Sequence, residues 1–267
     1  MTIEIKKQDG LEFLNSLPKN SVDLILTDPP YMISTQTNMN KFRDKVIAKN
    51  GENMKTEKDW EKYKLERGYV DDRYKKRWIK YGNSAGKKFA YRTMFGCWDN
   101  NFIIEKLEKY IKLFYKKLRT GGTAIIFFDL WKIETLRNIM EKNHFKQIRL
   151  IEWIKSNPLP LNQSRNYLSN SREIAVLGVK NKNPTFNSKF DRGLYWFPSQ
   201  GGKTRFHPTQ KSLKLFEALV RKHSNKGDLV VDCFLGGGTT AQACKNLGRS
   251  FKGCEINEEY FSKIKIT

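Results

Sequence analysis

The position of one supersecondary unit constrains this chain more than any other feature. Near the C-terminal end, Asp228-Leu229-Val230-Val231-Asp232 is a short apolar run that reads as a buried strand. It leads into Cys233-Phe234-Leu235-Gly236-Gly237-Gly238-Thr239-Thr240, and a helix continues through Ala241, Ala243, Cys244 and Leu247. A strand, a glycine-rich turn and a helix make a nucleotide-type site. Glycines let the backbone approach a ligand, and the helix N-terminus offers unpaired N–H groups to an anion. Gly236, Gly238 and Ala241 fit the pattern Gly-x-Gly-x-x-Ala, although a turn of this kind can also serve only to pack a helix tightly. Glu255, at the tip of the next strand (Arg249 to Cys254), suits the two hydroxyls of a ribose. Only residues 239–267, 29 in all, follow Gly238. They suffice for one helix, one strand and one helix. A doubly wound sheet needs more strands, and these must come from earlier in the chain. The expected fold is therefore α/β, with a mainly parallel sheet covered by helices and a permuted order in which the ligand-binding half comes last. A nicotinamide dehydrogenase, the competing reading of the turn, would place it near the start of its domain.

The first half supplies a second constellation. Val22-Asp23-Leu24-Ile25-Leu26 reads as a strand and runs into Thr27-Asp28-Pro29-Pro30-Tyr31. Two prolines cannot continue a ladder, because they lack N–H donors and fix φ. A carboxylate, two rigid carbonyl-bearing residues and an aromatic ring thus stand at the C-terminal end of a strand, where open α/β sheets bind ligands. The same residues can also form nothing more than a stiff turn.

Between and around these units the pattern is one of alternation. Thr2 to Lys6 reads as an edge strand, and Leu11 to Leu17 as a short helix closed by Pro18. Phe102 to Leu118 is a helix ended by Gly121-Gly122, followed by a strand over Thr123 to Phe128. A helix over Ile133 to Met140 and strands over Ile148 to Ile154 and Glu173 to Val179 come next, then a helix carrying Leu213, Phe216, Leu219 and Val220. The last helix spans Glu258 to Ile264. Helices alternating with apolar strands imply a single largely parallel domain over 1–267.

Two segments break this regularity. Residues 32–96 hold 17 Lys+Arg against 8 Asp+Glu, with Trp60, Tyr63, Tyr69, Tyr74 and Trp78 among many aromatics. Helices are expected over Asp59 to Leu65 and Asp71 to Tyr81. Residues 180–206 are irregular, and from Lys180 to Lys211 there are seven Lys+Arg against one Asp. These local excesses, +9 and +6, hold most of a net charge of +22. A localised footprint for a polyanion, nucleic acid first, is the natural reading. Basic residues interleaved with aromatics suit it, since cations meet phosphates and rings meet bases. The rings of the first segment can equally build a small core of their own.

Other classes are disfavoured. No stretch approaches the roughly 20 apolar residues of a membrane span, and the N-terminus has no signal-peptide core, so a cytoplasmic protein is expected. Cys97, Cys233, Cys244 and Cys254 form no Cys-x-x-Cys pair and read as reduced; with His144, His207 and His223 scattered, no metal site is expected.

In this order, Asp28-Pro29-Pro30-Tyr31, His207-Pro208-Thr209-Gln210-Lys211 and Asp232 to Thr240 resemble the beta class of S-adenosylmethionine-dependent DNA amino-methyltransferases. The similarity extends to Gln8-Asp9-Gly10-Leu11, Trp98-Asp99, Gly121-Gly122, Trp153-Ile154-Lys155-Ser156-Asn157-Pro158 and Gly253-Cys254-Glu255. It implies a circularly permuted Rossmann-like methyltransferase fold with a basic insertion at 32–96. That insertion and 180–206 are the candidates for target recognition. In the family, the Asp form of the Pro-Pro-Tyr motif goes mostly with adenine N6 and the Ser form mostly with cytosine N4. The resemblance therefore implies a site-specific adenine methyltransferase of restriction-modification or epigenetic marking, acting on double-stranded DNA after base flipping. Cytosine N4 is the alternative, and a non-catalytic DNA-binding subunit the reading from another class. A homodimer, a cognate restriction endonuclease and nucleoid association accompany the resemblance as expectations.

The family's roles carry over residue by residue. Asp28, Pro29, Pro30 and Tyr31 would be catalytic, with the Asp28 carboxylate and Pro29 carbonyl accepting the amine hydrogens and Tyr31 stacking on the flipped base. Trp153 is a candidate second wall of that pocket, or a core residue. The cofactor would meet Phe234, Gly236, Gly238, Thr239 and Thr240 on the methionine side, with His207 and Thr209 near them and Asp232 ending the strand below. Asp9 and Gly10 would lie near the adenine ring, and Glu255, Ile256 and Asn257 near the ribose, with Asp28 bordering the cofactor. Gly237 departs from the family's usual small residue such as Ser, an exchange small enough to leave cofactor binding undisturbed.

Overall fold

The computed structural model describes residues 1–31, 56–81, 102–158, 171–201, 206–207 and 209–267. Trp98-Asp99, Cys97 and the remaining parts of both basic segments lie outside the described residues. The chain divides into two compact units, residues 1–31 with 102–267, and residues 32–101.

The strands are β1 (Ile3–Lys7), β2 (Val22–Thr27), β3 (Leu118–Phe128), β4 (Phe145–Lys155), β5 (Arg172–Lys180), β6 (Leu194–Phe197), β7 (Leu229–Asp232) and β8 (Ser250–Glu255). The helices are α1 (Gly10–Ser16), α2 (Glu57–Arg67), α3 (Lys75–Tyr81), α4 (Ile104–Lys117), α5 (Ile133–Lys142), α6 (Leu213–His223), α7 (Thr239–Leu247) and α8 (Glu258–Lys263). Among the described residues all eight strands form one sheet, in the order β1-β8-β7-β2-β3-β5-β4-β6. The C-terminal strands β7 and β8 thus slot between β1 and β2, as the permuted order requires. Every pairing is parallel except those of β5, which runs antiparallel to both β3 and β4.

Helices cover both faces. On one, Leu24, Leu26, Ile125, Phe127 and Val230 pack with Leu215, Phe216 and Leu219 of α6 and Ala241 and Cys244 of α7. Alternate strand residues point the other way. There α1 packs on α4, α4 on β3, and α5 on β4 and β5. Helix α4 buries Leu107, Tyr110, Ile111 and Phe114, a stripe at helical spacing. The apolar strands read as continuous runs because both faces are buried, as expected.

Three departures have local causes. Gly121-Gly122 does not cap α4; Leu118 N–H closes the helix on Phe114 O, and β3 begins at once. The two glycines instead sit in an irregularity of β3, whose register jumps between Leu118 and Thr123. Gly121 has φ +79°, and a Cβ there would stand 2.4 Å from Asn183 O, so the bend needs glycine. Second, the irregular 180–206 segment contributes the edge strand β6, which pairs with β4 from Glu152 to Lys155. Its four residues are too short for a periodic signal. Third, α3 starts four residues later than Asp71, since the Asp71 carboxylate accepts from Arg73 N–H in a local turn.

In the second unit, α2 is closed at its start by a Thr56–Asp59 capping box. Trp60 and Trp78 are buried, with ring centroids 5.6 Å apart; Tyr63 stacks on Trp78 at 4.7 Å, and Tyr69 lies parallel to Trp60 at 6.1 Å. Trp60 Nε1 donates to Asp72 at 2.9 Å. These rings form a small core of their own, and among the described residues Lys58, Lys62, Arg67, Arg73, Lys76 and Arg77, rather than the tryptophans, are exposed.

Candidate active site

The sheet's strand order reverses between β7 and β2. From β2 the chain proceeds outward through β3; from β7 it proceeds the other way through β8. The C-terminal ends of the two strands lie side by side, which is the switch point at which α/β sheets form ligand crevices. One hydrogen bond ties the two constellations together, from Thr27 Oγ1 on β2 to Asp232 Oδ1 on β7, at 2.6 Å.

Asp232 organises the glycine-rich turn. Its carboxylate also accepts from Phe234 N–H at 3.0 Å and from Thr240 Oγ1 at 2.6 Å. Burial raises its pKa to about 6 despite these three donors. Gly236 and Gly238 adopt φ +52° and +78°, and a Cβ on Gly236 would lie 3.3 Å from the His207 ring. The His207 ring meets Tyr260 edge-on at 4.4 Å and bonds Thr209 through Nδ1. Thr209 is solvent-exposed and Thr239 is buried. Gly238 is the N-cap of α7 and has no side chain to cap the helix, so the first N–H groups of α7 are uncapped by any side chain. That donor set fits a carboxylate. A Cβ on Gly237 would come within 2.8 Å of Gln210 Cγ, so a serine there requires Gln210 to move.

Glu255 ends β8 beside this turn. Its two oxygens accept from Gly236 N–H and Asn257 N–H, each at 2.8 Å. Burial raises its pKa, and the backbone bonds oppose the rise. Each oxygen keeps a further lone pair, which suits a vicinal diol. Ile256 is exposed, and Asn257 caps α8 by accepting from Tyr260 N–H. Phe234 packs against Tyr110 at 4.7 Å and Phe102 at 5.6 Å. Asp9 is the N-cap of α1, accepting from Leu11 N–H at 2.8 Å, and Gly10 lies so close to Tyr110 that a Cβ would stand 2.7 Å from its hydroxyl. An uncapped helix start, a carboxylate with free lone pairs and a glycine-rich turn therefore stand together at the ends of β7 and β8, a donor and acceptor set that fits a nucleoside carrying an amino-acid tail.

At the tip of β2, Pro29 is buried, while Asp28, Pro30 and Tyr31 are half-buried. Tyr31 Oη donates to Asp28 Oδ1 at 2.7 Å, and its ring meets Phe128 edge-on at 6.0 Å. Lys211 Nζ lies 3.0 Å from Asp28 Oδ2 and 2.9 Å from Tyr31 Oη. It also contacts Glu173 Oε2 at 2.5 Å, and Lys155 holds Glu173 Oε1 at 2.7 Å. Burial pushes the Asp28 pKa up, and Lys211 counters it. Burial also works against the Lys211 ammonium, but Asp28 and Glu173 outweigh it and hold its pKa well above the usual value. Trp153 is a core residue, 1% exposed, with Nε1 donating to Phe197 O at 2.8 Å.

Lys211 and Glu173 are the site residues that the sequence did not reveal. Lys211 closes a quoted motif but counts there as one more basic residue. Glu173 is the second residue of the apolar strand β5 and carries no local signal at all. Antiparallel β5 brings Glu173, near its N-terminal end, to the edge where β2 and β3 end, with Ile174 opposite Phe128.

Residues 22–265 match the model of the N6/N4 DNA methylase family. The chain belongs to that DNA methylase family. This DNA methylase is 27% identical to the type II methyltransferase M2.DpnII of Streptococcus pneumoniae, over 94% of this chain and 84% of that one. Among solved structures it is similar to the M1.HpyAVI–SAM complex, with a TM-score of 0.61, 26% identity, and coverage of 98% of this chain and 97% of that one. It also shares the fold of the cytosine-N4-specific PvuII DNA methyltransferase, with a TM-score of 0.66, 16% identity, and coverage of 98% and 85%. The DNA methylase contains, among its described residues, no group of His, Cys, Asp and Glu side chains arranged to hold a metal, and no helix long and apolar enough to cross a membrane.

Proposed function

We propose that this DNA methylase transfers a methyl group from S-adenosylmethionine to the N6 amine of adenine in double-stranded DNA, as a beta-class enzyme of restriction-modification or epigenetic marking. One observation carries the reading: the Asp28 carboxylate stands at the same switch point as the glycine-rich turn, joined to it through Thr27 and Asp232. S-adenosylmethionine supplies, when bound, a methyl group on a sulfonium that an amine lone pair can attack in line. The α7 N-terminus and the Gly236–Gly238 turn would hold its carboxylate, and Glu255 its ribose hydroxyls.

The amine of adenine is a poor nucleophile, because its lone pair is delocalised into the ring. Hydrogen bonds from its two N–H groups to the Asp28 carboxylate and the Pro29 carbonyl would favour a pyramidal nitrogen. As the N–C bond forms, positive charge develops on that nitrogen, so a nearby carboxylate stabilises the transition state more than the ground state. Asp28 need not be a strong base, since the methylated ammonium is itself acidic. A base inside a duplex cannot reach Asp28 and must be flipped out; Tyr31 is the candidate ring on which it stacks. The cations of 32–96 and 180–206 would meet phosphates, and side chains of these segments would read base edges.

The test is incubation with mixed-sequence duplex DNA and labelled cofactor, followed by identification of the modified nucleoside. N6-methyladenine is the expected product, and N4-methylcytosine as sole product would overturn the choice of base. Asp28→Ala should lower transfer at least about 100-fold while leaving DNA affinity largely intact. Undiminished transfer would remove Asp28 from its role.

A further inference from the structure

All three donors of the Lys211 ammonium are spent at this site, on Asp28 Oδ2 (3.0 Å), Tyr31 Oη (2.9 Å) and Glu173 Oε2 (2.5 Å). Its side chain is 7% exposed, so water offers no alternative partner. Tyr31 in turn both accepts from Lys211 and donates to Asp28, which closes a three-membered ring of hydrogen bonds. The ammonium also lies over the rings of Tyr31 and Phe127, at 5.3 and 5.2 Å from their centroids. The Lys211 carbonyl is itself held by Thr239 Oγ1 at 3.5 Å, at the head of α7.

We propose that Lys211 and Glu173 are positioning residues of the methyl-transfer site: Lys211 aims Asp28 and Tyr31, and Glu173 restores the negative charge that Lys211 cancels. This rests on the activity proposed above. A carboxylate that must accept a substrate N–H needs a fixed direction, and one bond to each oxygen supplies it while leaving lone pairs on both. A lone cation beside Asp28 would oppose the charge that develops on the amine. With Glu173 ionised on its other side, Asp28, Lys211 and Glu173 together carry one net negative charge. Lys155 lies beyond Glu173, over the Trp153 ring, so the charge nearest the amine stays negative. Three other groups face this cluster, and Asp232 adds negative charge beside Asp28 once it is ionised. Tyr31 is neutral, its pKa raised well above the usual value first by burial; Asp232 reaches Asp28 from β7; and Lys132 Nζ donates to the Tyr31 carbonyl at 3.3 Å.

The two residues act on Asp28 with opposite sign, and a pH profile separates this from simple loss of structure. Lys211 favours the ionised carboxylate, and Glu173 disfavours it. The rate falls on the acid side as Asp28 takes up a proton. In Lys211→Met, kcat for labelled methyl transfer to duplex DNA should drop about 100-fold, with the acid limb moved up by about one pH unit. In Glu173→Gln, kcat should drop about 10-fold, with the acid limb moved down. Melting temperature and the cofactor Kd serve as controls on folding. Opposite shifts support the proposal. Acid limbs that stay put, or move in the same direction, overturn it, as does an unchanged kcat in both variants. Should Lys211→Met fail to fold, the isosteric Glu173→Gln decides alone: a downward shift supports the proposal and an unmoved limb overturns it. Wild-type protein that transfers no methyl group to DNA would defeat the proposed activity itself, a result visible before either variant is compared.

Discussion

At Asp232 the fold holds a carboxyl group whose three hydrogen-bond donors do not offset its burial, and its pKa rises from 3.8 to about 6. His223, buried at the end of α6, shows the reverse, falling from 6.5 to about 4 because burial disfavours the imidazolium. The consequences for stability have opposite signs. The folded state binds the Asp232 proton more tightly than the unfolded chain does, so that contribution is present below about pH 4 and is lost as pH rises to about 6. The folded state binds the His223 proton less tightly, so its contribution is present above about pH 6.5 and is lost as pH falls to about 4. Each is worth on the order of 3 kcal/mol across its window. The two nearly cancel in the wild-type protein, and single variants should unmask them. Relative to wild type, His223→Gln should gain stability at pH 4 compared with pH 7, and Asp232→Asn should gain at pH 7 compared with pH 4. Urea unfolding at four pH values between 4 and 7 checks both, and parallel curves would contradict the assignment.

At the scale of elements, helix α1 shows how one residue can serve the fold and the crevice. Asp9 caps α1 and also faces Lys106 across 3.8 Å. The cap by itself should make Asp9→Ala cost about 1 kcal/mol of stability in cofactor-free protein. Asp9→Ser keeps a capping oxygen and should recover most of that loss. If Asp9 also contacts the cofactor, Asp9→Ser should still weaken cofactor binding, measured by calorimetry. An affinity equal to wild type would leave Asp9 as a cap alone. Much at this scale was legible from periodicity. The apolar runs of β2, β3, β5 and β7 and the stripe of α4 announce themselves, because each must bury a face. The four-residue β6 and the bend at Gly121-Gly122 do not. The first owes its pairing to β4, and the second to the close approach of Asn183.

For the whole molecule, the net charge of +22 remains the strongest statement about a partner, but the structure redistributes it. Lys180 and Lys211, counted in the basic segment from 180 to 211, are both buried; Lys180 donates to Asn20 Oδ1 and Leu118 O. Lys222 pairs with Asp191. These charges hold the fold rather than a phosphate. In the second unit, Lys58, Lys62, Lys76 and Arg77 are exposed. Affinity for duplex DNA of unrelated sequence should fall about 10³–10⁵-fold between 50 and 200 mM salt if six to ten phosphates are neutralised. Replacing Lys62 or Arg77 with Ala should lower the salt slope by about 1 for each contact removed, while Lys180→Met should leave it unchanged. Fluorescence anisotropy across a salt series checks this, and equal slopes in all variants would place the DNA elsewhere.

The sequence by itself determined most of the strands and helices, the permuted order, and the two motifs around Asp28 and Gly236. Each of these is a local pattern or a matter of the order in which the motifs follow one another along the chain. It did not determine which charges meet. Lys211 lies 183 positions from Asp28 and Glu173 lies 145, and nothing in either neighbourhood marks them as partners. Only the antiparallel direction of β5, and the path of the segment before α6, bring them to the tip of β2. At that tip, burial turns an ordinary lysine and glutamate into the closest electrostatic neighbours of the proposed acceptor, because charges withdrawn from water must find one another.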